Sequence, residues 1–231
     1  MLDIIFSLLT LTVLEAILGI DNLVFIAILS SRLPEHRQKS ARRIGLMLAW
    51  MIRLALLGAV FWIIGLTKPI ISIFQMSFSW HDIFLIAGGL FLIGKGTREI
   101  HLEMEFASRA KQQSEYANYF SVITQIAIFD IIFSLDSILT AIGLSKFYWV
   151  IATAITLAIL IMLLASEPLT RLINRHPTIK ILALSFLLLI GTVLIADGFH
   201  FNIPRGYIYF AVCFSLFVEA LNSIVRKKRQ S

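Results

Sequence analysis

The chain has 231 residues, 58% hydrophobic and 15% charged, with a mean hydropathy of +0.88. Soluble domains average about 45–50% apolar and about 25% charged, so the composition excludes an ordinary soluble enzyme and points to one polytopic, all-α membrane domain in the lipid bilayer. The net charge of +6 sits beside apolar segments without interleaved aromatics, a pattern that membrane topology explains and nucleic-acid binding does not.

A bilayer core of about 30 Å is crossed by roughly 20 apolar residues in a helix. Seven spans are expected on that basis, at 3–30, 42–66, 82–97, 119–143, 147–166, 178–197 and 206–225. The first carries Glu15, Asp21 and Asn22 near its middle, where a carboxylate costs several kcal/mol. The second contains Arg53. The third is short and rich in glycine (Gly88, Gly89, Gly94, Gly96), which lets neighbouring helices approach closely. Residues 98–118 form the longest connection, read as a solvated cytoplasmic linker, with an amphipathic surface helix as the alternative. The fourth span repeats the pattern of the first, an acid, five residues, an aspartate and a small polar residue, as Asp130, Asp136 and Ser137, with Gln125 and Ser134 nearby. The seventh holds Glu219 and Asn222 on one face, either extending the site or, for Glu219, pairing with the basic tail. Cys213 is the sole cysteine, which excludes an intramolecular disulfide and a cysteine zinc cluster. The N-terminal stretch has neither a basic n-region nor a small-residue cleavage site, so no removable signal peptide is expected.

Basic residues alternate across the connections. Arg32, Arg37, Lys39, Arg42 and Arg43 follow the first span, Lys95, Arg98, Arg109 and Lys111 the third, Arg171, Arg175 and Lys180 the fifth, and Arg226, Lys227, Lys228 and Arg229 the seventh. The other connections have one each, Lys68, Lys146 and Arg205. By the positive-inside rule the N-terminus lies outside and the C-terminus in the cytoplasm.

Spans 1–3 and 4–6 read as two copies of one unit. The acidic pattern recurs, and GLFLIGKG at 89–96 resembles LLLIGTVL at 187–194. A three-span unit repeated once must be inverted, the arrangement common in secondary transporters with midplane sites. The expected organisation is repeat 1 over 1–97, the linker 98–118, repeat 2 over 119–200 and an extra helix at 206–225. If spans 1 and 4 pack side by side, Glu15 is level with Asp136 and Asp21 with Asp130, the levels being about 9 Å apart. Residues six apart point about 120° apart on a helix. Either each level is its own site, or the helices unwind between the acids, and Gly19 would permit that in the first span.

Four carboxylates facing one interior suit a cation, and acids that trade protons for metal supply a mechanism for cation–proton exchange. Asn22, Ser137 and Gln125 add only oxygen ligands, and no histidine or methionine falls beside the acids in sequence. An all-oxygen set favours manganese, magnesium or calcium over copper or zinc. Arg53 is a candidate counter-ion, and one acid paired with it is the architectural alternative. Facing aspartates also occur in intramembrane proteases, but there is no GxGD loop, serine–histidine pair or HExxH helix, so no enzyme is expected.

The runs LEAILGIDNLVFIAI (14–28), ARRIGL (41–46) and DIIFSLDSILTAIGL (130–144) resemble the TerC family of integral membrane proteins, and PRGYIYFAVCFSLFVEALN (204–222) is similar to its bacterial inner-membrane branch. The resemblance covers essentially the whole chain, without the appended CBS-type domain of longer relatives. It implies kinship with LysE-type exporters and their 3+3 inverted repeat. Carried over residue by residue, it implies intramembrane acids at Glu15, Asp21, Asp130 and Asp136, with Asn22 and Ser137 beside them; the residues' own placement adds Gln125, Glu219 and Asn222 as a second tier of the metal site. Some TerC relatives are linked to manganese efflux and others to tellurium-ion resistance. The expected function is export of a divalent cation, Mn2+ first, by proton exchange at the bacterial inner membrane, as a monomer or homo-oligomer. The alternative is a non-transporting scaffold that binds or delivers metal.

Overall fold

Long apolar runs with few internal breakers make helices almost throughout. A computed structural model describes residues 2–60, 64–65, 67–73, 76–108, 118–145, 147–175, 177–201 and 203–230. Its elements are α1 (Leu2–Leu18), α2 (Ile20–Ser30), α3 (Glu35–Gly58), β1 (Pro69–Ile73), β2 (Met76–Ser79), α4 (Trp80–Ser108), α5 (Tyr119–Leu144), α6 (Tyr148–Arg175), α7 (Pro177–Gly198) and α8 (Arg205–Gln230).

Four helical stretches among the described residues are long and apolar enough to cross a bilayer: Ile4–Ser30, Tyr119–Leu144, Tyr148–Ile173 and Thr178–Gly198. They fall on the predicted first, fourth, fifth and sixth spans. The predicted second span lies mostly in α3, which begins in the basic run and carries Arg42, Arg43 and Arg53; its residues 61–63 and 66 lie outside the described ones. The third lies within α4, whose second half is charged. The seventh lies in α8, which holds a shorter apolar stretch, Gly206–Glu219. The expected linker 98–118 differs in its first half, where residues 98–108 continue α4 as helix; residues 109–117, and the side chains of the RKKR tail, lie outside the described residues.

The first span is not unwound at Gly19. That residue separates α1 from α2 at helical angles (φ −86°, ψ −7°), and the ladder continues through it. Gly19 N–H donates to the Glu15 carbonyl at 2.9 Å, and Leu23 N–H to the Gly19 carbonyl at 2.9 Å. The fourth span is unbroken too, with Asn118 Oδ1 accepting from Phe120 N–H at 3.0 Å at its start.

One element departs from expectation. The connection between the predicted second and third spans contains an antiparallel hairpin, β1 with β2, pairing Ile71 with Phe78, Ser72 with Ser77 and Ile73 with Met76. Ile70, Ile71 and Ile73 favour extended backbone, and Pro69 takes the first strand position, where its missing N–H is tolerated.

The helices form two compact units, Met1–His81 with Gln113–Arg171, and Asp82–Gln112 with Leu172–Ser231. Each draws on both halves of the chain. In the first, α3 packs along α5, and an added Cβ on Gly45 would lie 3.0 Å from Ile126. Leu11, Leu57, Ile138, Ala141, Val150, Ile151, Ala154 and Ile155 form one apolar cluster. Trp50 Nε1 donates to Thr156 Oγ1 at 3.1 Å, and the Phe25 and Phe129 rings lie 3.6 Å apart between centroids. In the second unit, α4 meets α7 through glycines: a Cβ on Gly89 would lie 2.5 Å from the Gly191 carbonyl oxygen. There Lys180 pairs with Glu103 at 2.6 Å.

Candidate metal centre

Three helical faces of the first unit carry charge along buried stripes. On α1 and α2 the stripe runs Leu11, Glu15, Gly19, Asn22 and Ile26, all buried. On α3 it runs Arg42, Leu46, Ala49, Arg53 and Leu57. On α5 it runs Val122, Ile126, Asp130, Ser134, Ser137 and Ala141. Steps of three and four residues keep each set on one helix face, so burial of the apolar members carries Glu15, Arg53 and Asp130 inward with them.

There they meet. Arg53 Nη1 lies 2.6 Å from Glu15 Oε2. Arg53 Nε and Nη2 each donate to Asp130 Oδ1 at 3.4 Å. Asn22 Nδ2 approaches the same oxygen at 3.5 Å, and Ser134 Oγ donates to Asp130 Oδ2 at 3.2 Å. Glu15 is 0% exposed, Arg53 2%, Asp130 4% and Asn22 6%. Both Asp130 oxygens are therefore engaged. Glu15 Oε1 and Asn22 Oδ1 are buried with no hydrogen-bond partner among the described residues. With both acids ionised, one guanidinium faces two carboxylates, and the cluster retains a net negative charge.

This differs from the paired levels expected of straight neighbours, Glu15 with Asp136 and Asp21 with Asp130. Arg53 instead joins Glu15 to Asp130, because a guanidinium carries five donors in a fixed fork and can engage two acids at once. Arg53 is thus a partner to two carboxylates rather than one. Asp136 is half-buried, about 120° round α5 from Asp130, and its carbonyl accepts from Thr140 Oγ1 at 2.9 Å. The Asp21 side chain lies outside the described residues. Ser137 donates to the Ser134 carbonyl at 3.3 Å. Gln125 Nε2 donates to the Ser121 carbonyl and hydroxyl, each at 3.0 Å. Glu219, in the second unit, accepts from Thr178 Oγ1, and Asn222 is exposed.

Sequence reasoning missed one neighbour. A Cβ added to Gly19 would lie 2.5 Å from Met162 Cε and 2.7 Å from its Sδ, so a methionine of α6 packs directly on the acidic stripe. Only the tertiary placement of α6 reveals it.

The sequence matches the integral membrane protein TerC family over residues 2–231. The chain belongs to that family. It is 48% identical over 222 residues to the UPF0053 inner membrane protein YoaE of Escherichia coli K12, covering 96% of this chain and 43% of YoaE. It is 48% identical over 219 residues to YegH of the same strain, covering 94% of this chain and 42% of YegH. Against the inner membrane protein YgdQ it is 43% identical over 219 residues, covering 95% of this chain and 92% of YgdQ. The chain thus spans less than half the length of YoaE and YegH. No solved structure matches it.

In this TerC-family chain, the donors around Arg53 are carboxylate, amide and hydroxyl oxygens, the set that hard divalent cations take. Among the described residues no three His, Cys, Asp or Glu side chains converge closely enough to hold a metal ion. Two buried acids, Glu15 and Asp130, converge on a guanidinium.

Proposed function

We propose that this chain is a membrane transporter that exports a divalent metal cation, Mn2+ in the first instance, in exchange for protons. Its path runs past Glu15, Asn22 and Asp130, with Asp21, Asp136 and Ser137 on the same two spans. One observation carries the reading: two buried carboxylates share one guanidinium, while Glu15 Oε1 and Asn22 Oδ1 lack partners among the described residues. Buried oxygens without donors cost about 1–3 kcal/mol each, more when charged, and a cation would recover that cost.

Arg53 acts as an internal stand-in for the substrate. An arriving cation competes with it for Glu15 and Asp130, and the guanidinium returns as the ion leaves. Protons compete for the same carboxylates, which couples ion movement to a proton gradient. The architecture behind this is a 3+3 inverted repeat with a seventh helix. It is supported by the recurring acidic pattern and by the grouping of the predicted first and fourth spans in one unit, and the third and sixth in the other. An inner-membrane location is supported by the names of YoaE and YgdQ.

A second reading, a non-transporting scaffold that binds or delivers metal, is favoured by Arg53 already holding the position between Glu15 and Asp130. Flux separates the two. In inside-out proteoliposomes with a lumenal pH dye, wild type should take up Mn2+ and release protons, while Asp21→Asn and Asp136→Asn should insert normally and abolish uptake. Saturable Mn2+ binding without flux would establish the scaffold. Wild-type flux in both variants would remove those acids from the site.

A further inference from the structure

Four residues on the buried side of the first span, Thr12, Glu15, Gly19 and Asn22, follow one another at three- and four-residue steps and so share a face. Three of them carry a buried oxygen with no hydrogen-bond partner among the described residues: Thr12 Oγ1, Glu15 Oε1 and Asn22 Oδ1. Thr12 is telling. Thr140, Thr153, Thr156, Thr170 and Thr192 each donate to the carbonyl one turn back at 2.7–2.9 Å, the usual way for a helical threonine to satisfy itself in an apolar setting. Thr12 does not.

The fourth member of the face is the glycine on which Met162 rests. Met162 is 3% exposed, and its Cε and Sδ fill the space a Cβ would need at Gly19. Gly19 lies one turn beyond Glu15 and one turn before Asn22. The missing side chain therefore admits a thioether onto the face that carries Glu15 and Asn22, at the position between them in the helix. A leucine would fill that space equally well. Sulfur differs in being a soft, polarisable donor among hard ones.

We propose that Met162 is a specificity-determining residue of the cation path, placing a thioether at Gly19 on the face shared by Glu15 and Asn22 so that softer divalent ions are favoured over Mg2+ and Ca2+. This rests on the transport reading above and adds the chemical class of ion the path prefers. Gly19 is the positioning residue, because only glycine lets the sulfur reach the stripe.

The test uses the full chain in proteoliposomes, with Cd2+ as the soft probe, Mn2+ as intermediate and Mg2+ as the hard ion, each followed by its own fluorescent indicator. Met162→Leu keeps volume and apolarity, a change that cores tolerate well. It should lower the Cd2+ to Mg2+ flux ratio by about tenfold, the low end of what changes around a metal's ligands produce, with the Mn2+ to Mg2+ ratio moving the same way by less. Gly19→Ala, which displaces the flexible end of Met162 without removing it, should shift both ratios in the same direction. It also serves if Met162→Leu fails to insert. Unchanged ratios in an inserted variant that still carries ions overturn the role of Met162 and leave the transport reading standing. No flux of any of the three ions through wild type overturns the transport reading and this inference with it.

Discussion

Arg53 is the residue on which the interior depends most. Removing one partner of a buried ion pair leaves the other uncompensated, and here it leaves two, Glu15 and Asp130, side by side and almost fully buried. Arg53→Leu should lower stability by about 3–5 kcal/mol, read as a fall in the melting temperature of the detergent-solubilised protein. Adding Glu15→Gln and Asp130→Asn should recover most of that loss without recovering flux, since the repulsion goes but so do the ion's ligands. Arg53→Lys should recover little, because an ammonium cannot fork between two acids. A stable Arg53→Leu protein would mean that the bridge contributes nothing. At this scale the sequence was informative where a group is costly. Glu15, Asp130 and Arg53 stand out because charge in an apolar span demands a reason. Which acids Arg53 joins was not legible, since it depends on how α3 is rotated against α1 and α5. Met162 was invisible for a related reason: a methionine in an apolar helix looks like packing until α6 is set against Gly19.

Helix crossings separate the glycines that matter from those that do not. The glycine-rich third span suggested close approach of neighbouring helices, and the contacts are local to particular glycines. At Gly89 an added Cβ would lie 2.5 Å from the Gly191 carbonyl oxygen, a backbone atom that cannot rotate away, whereas at Gly94 nothing among the described residues lies within 4 Å. Gly89→Ala must push α4 and α7 apart and should cost about 1–3 kcal/mol, as overpacking does. Gly94→Ala should be neutral or stabilising by up to about 1 kcal/mol, the difference in helix propensity. Thermal melts of the two variants in one detergent decide this, and equal effects would refute the glycine contact between α4 and α7. The β1–β2 hairpin was missed at this scale because a short isoleucine-rich run beside a proline reads as a connection when membrane spans dominate the pattern. The four most apolar stretches were legible because length and hydropathy alone define them.

The division into two units, each built from both halves of the chain, could not be read from the sequence, because connectivity favours neighbours in the chain and packing does not. The count of spans is the whole-molecule question that follows. Among the described residues four stretches meet the length and hydropathy needed to cross a bilayer, whereas the expectation of seven is supported by the charge alternation across connections. The two counts differ in parity. An odd number sends the termini to opposite faces, and an even number returns them to one. The basic residues favour the odd count, because clusters of three or more after the first, third, fifth and seventh predicted spans alternate with single basic residues after the others, and positive charge next to a span favours the cytoplasmic side. The predicted second span has a physical reason for its lower hydropathy. It carries Arg53, whose charge is neutralised by Glu15 and Asp130 rather than by water, and such intramembrane pairs lower hydropathy without preventing insertion. Epitope tags at each end, probed with an impermeant protease in intact spheroplasts, should give cleavage at the N-terminus alone. Cleavage at both ends, or at neither, would require an even number of spans, and the 3+3 inverted repeat would then survive only if the predicted seventh span alone does not cross the bilayer.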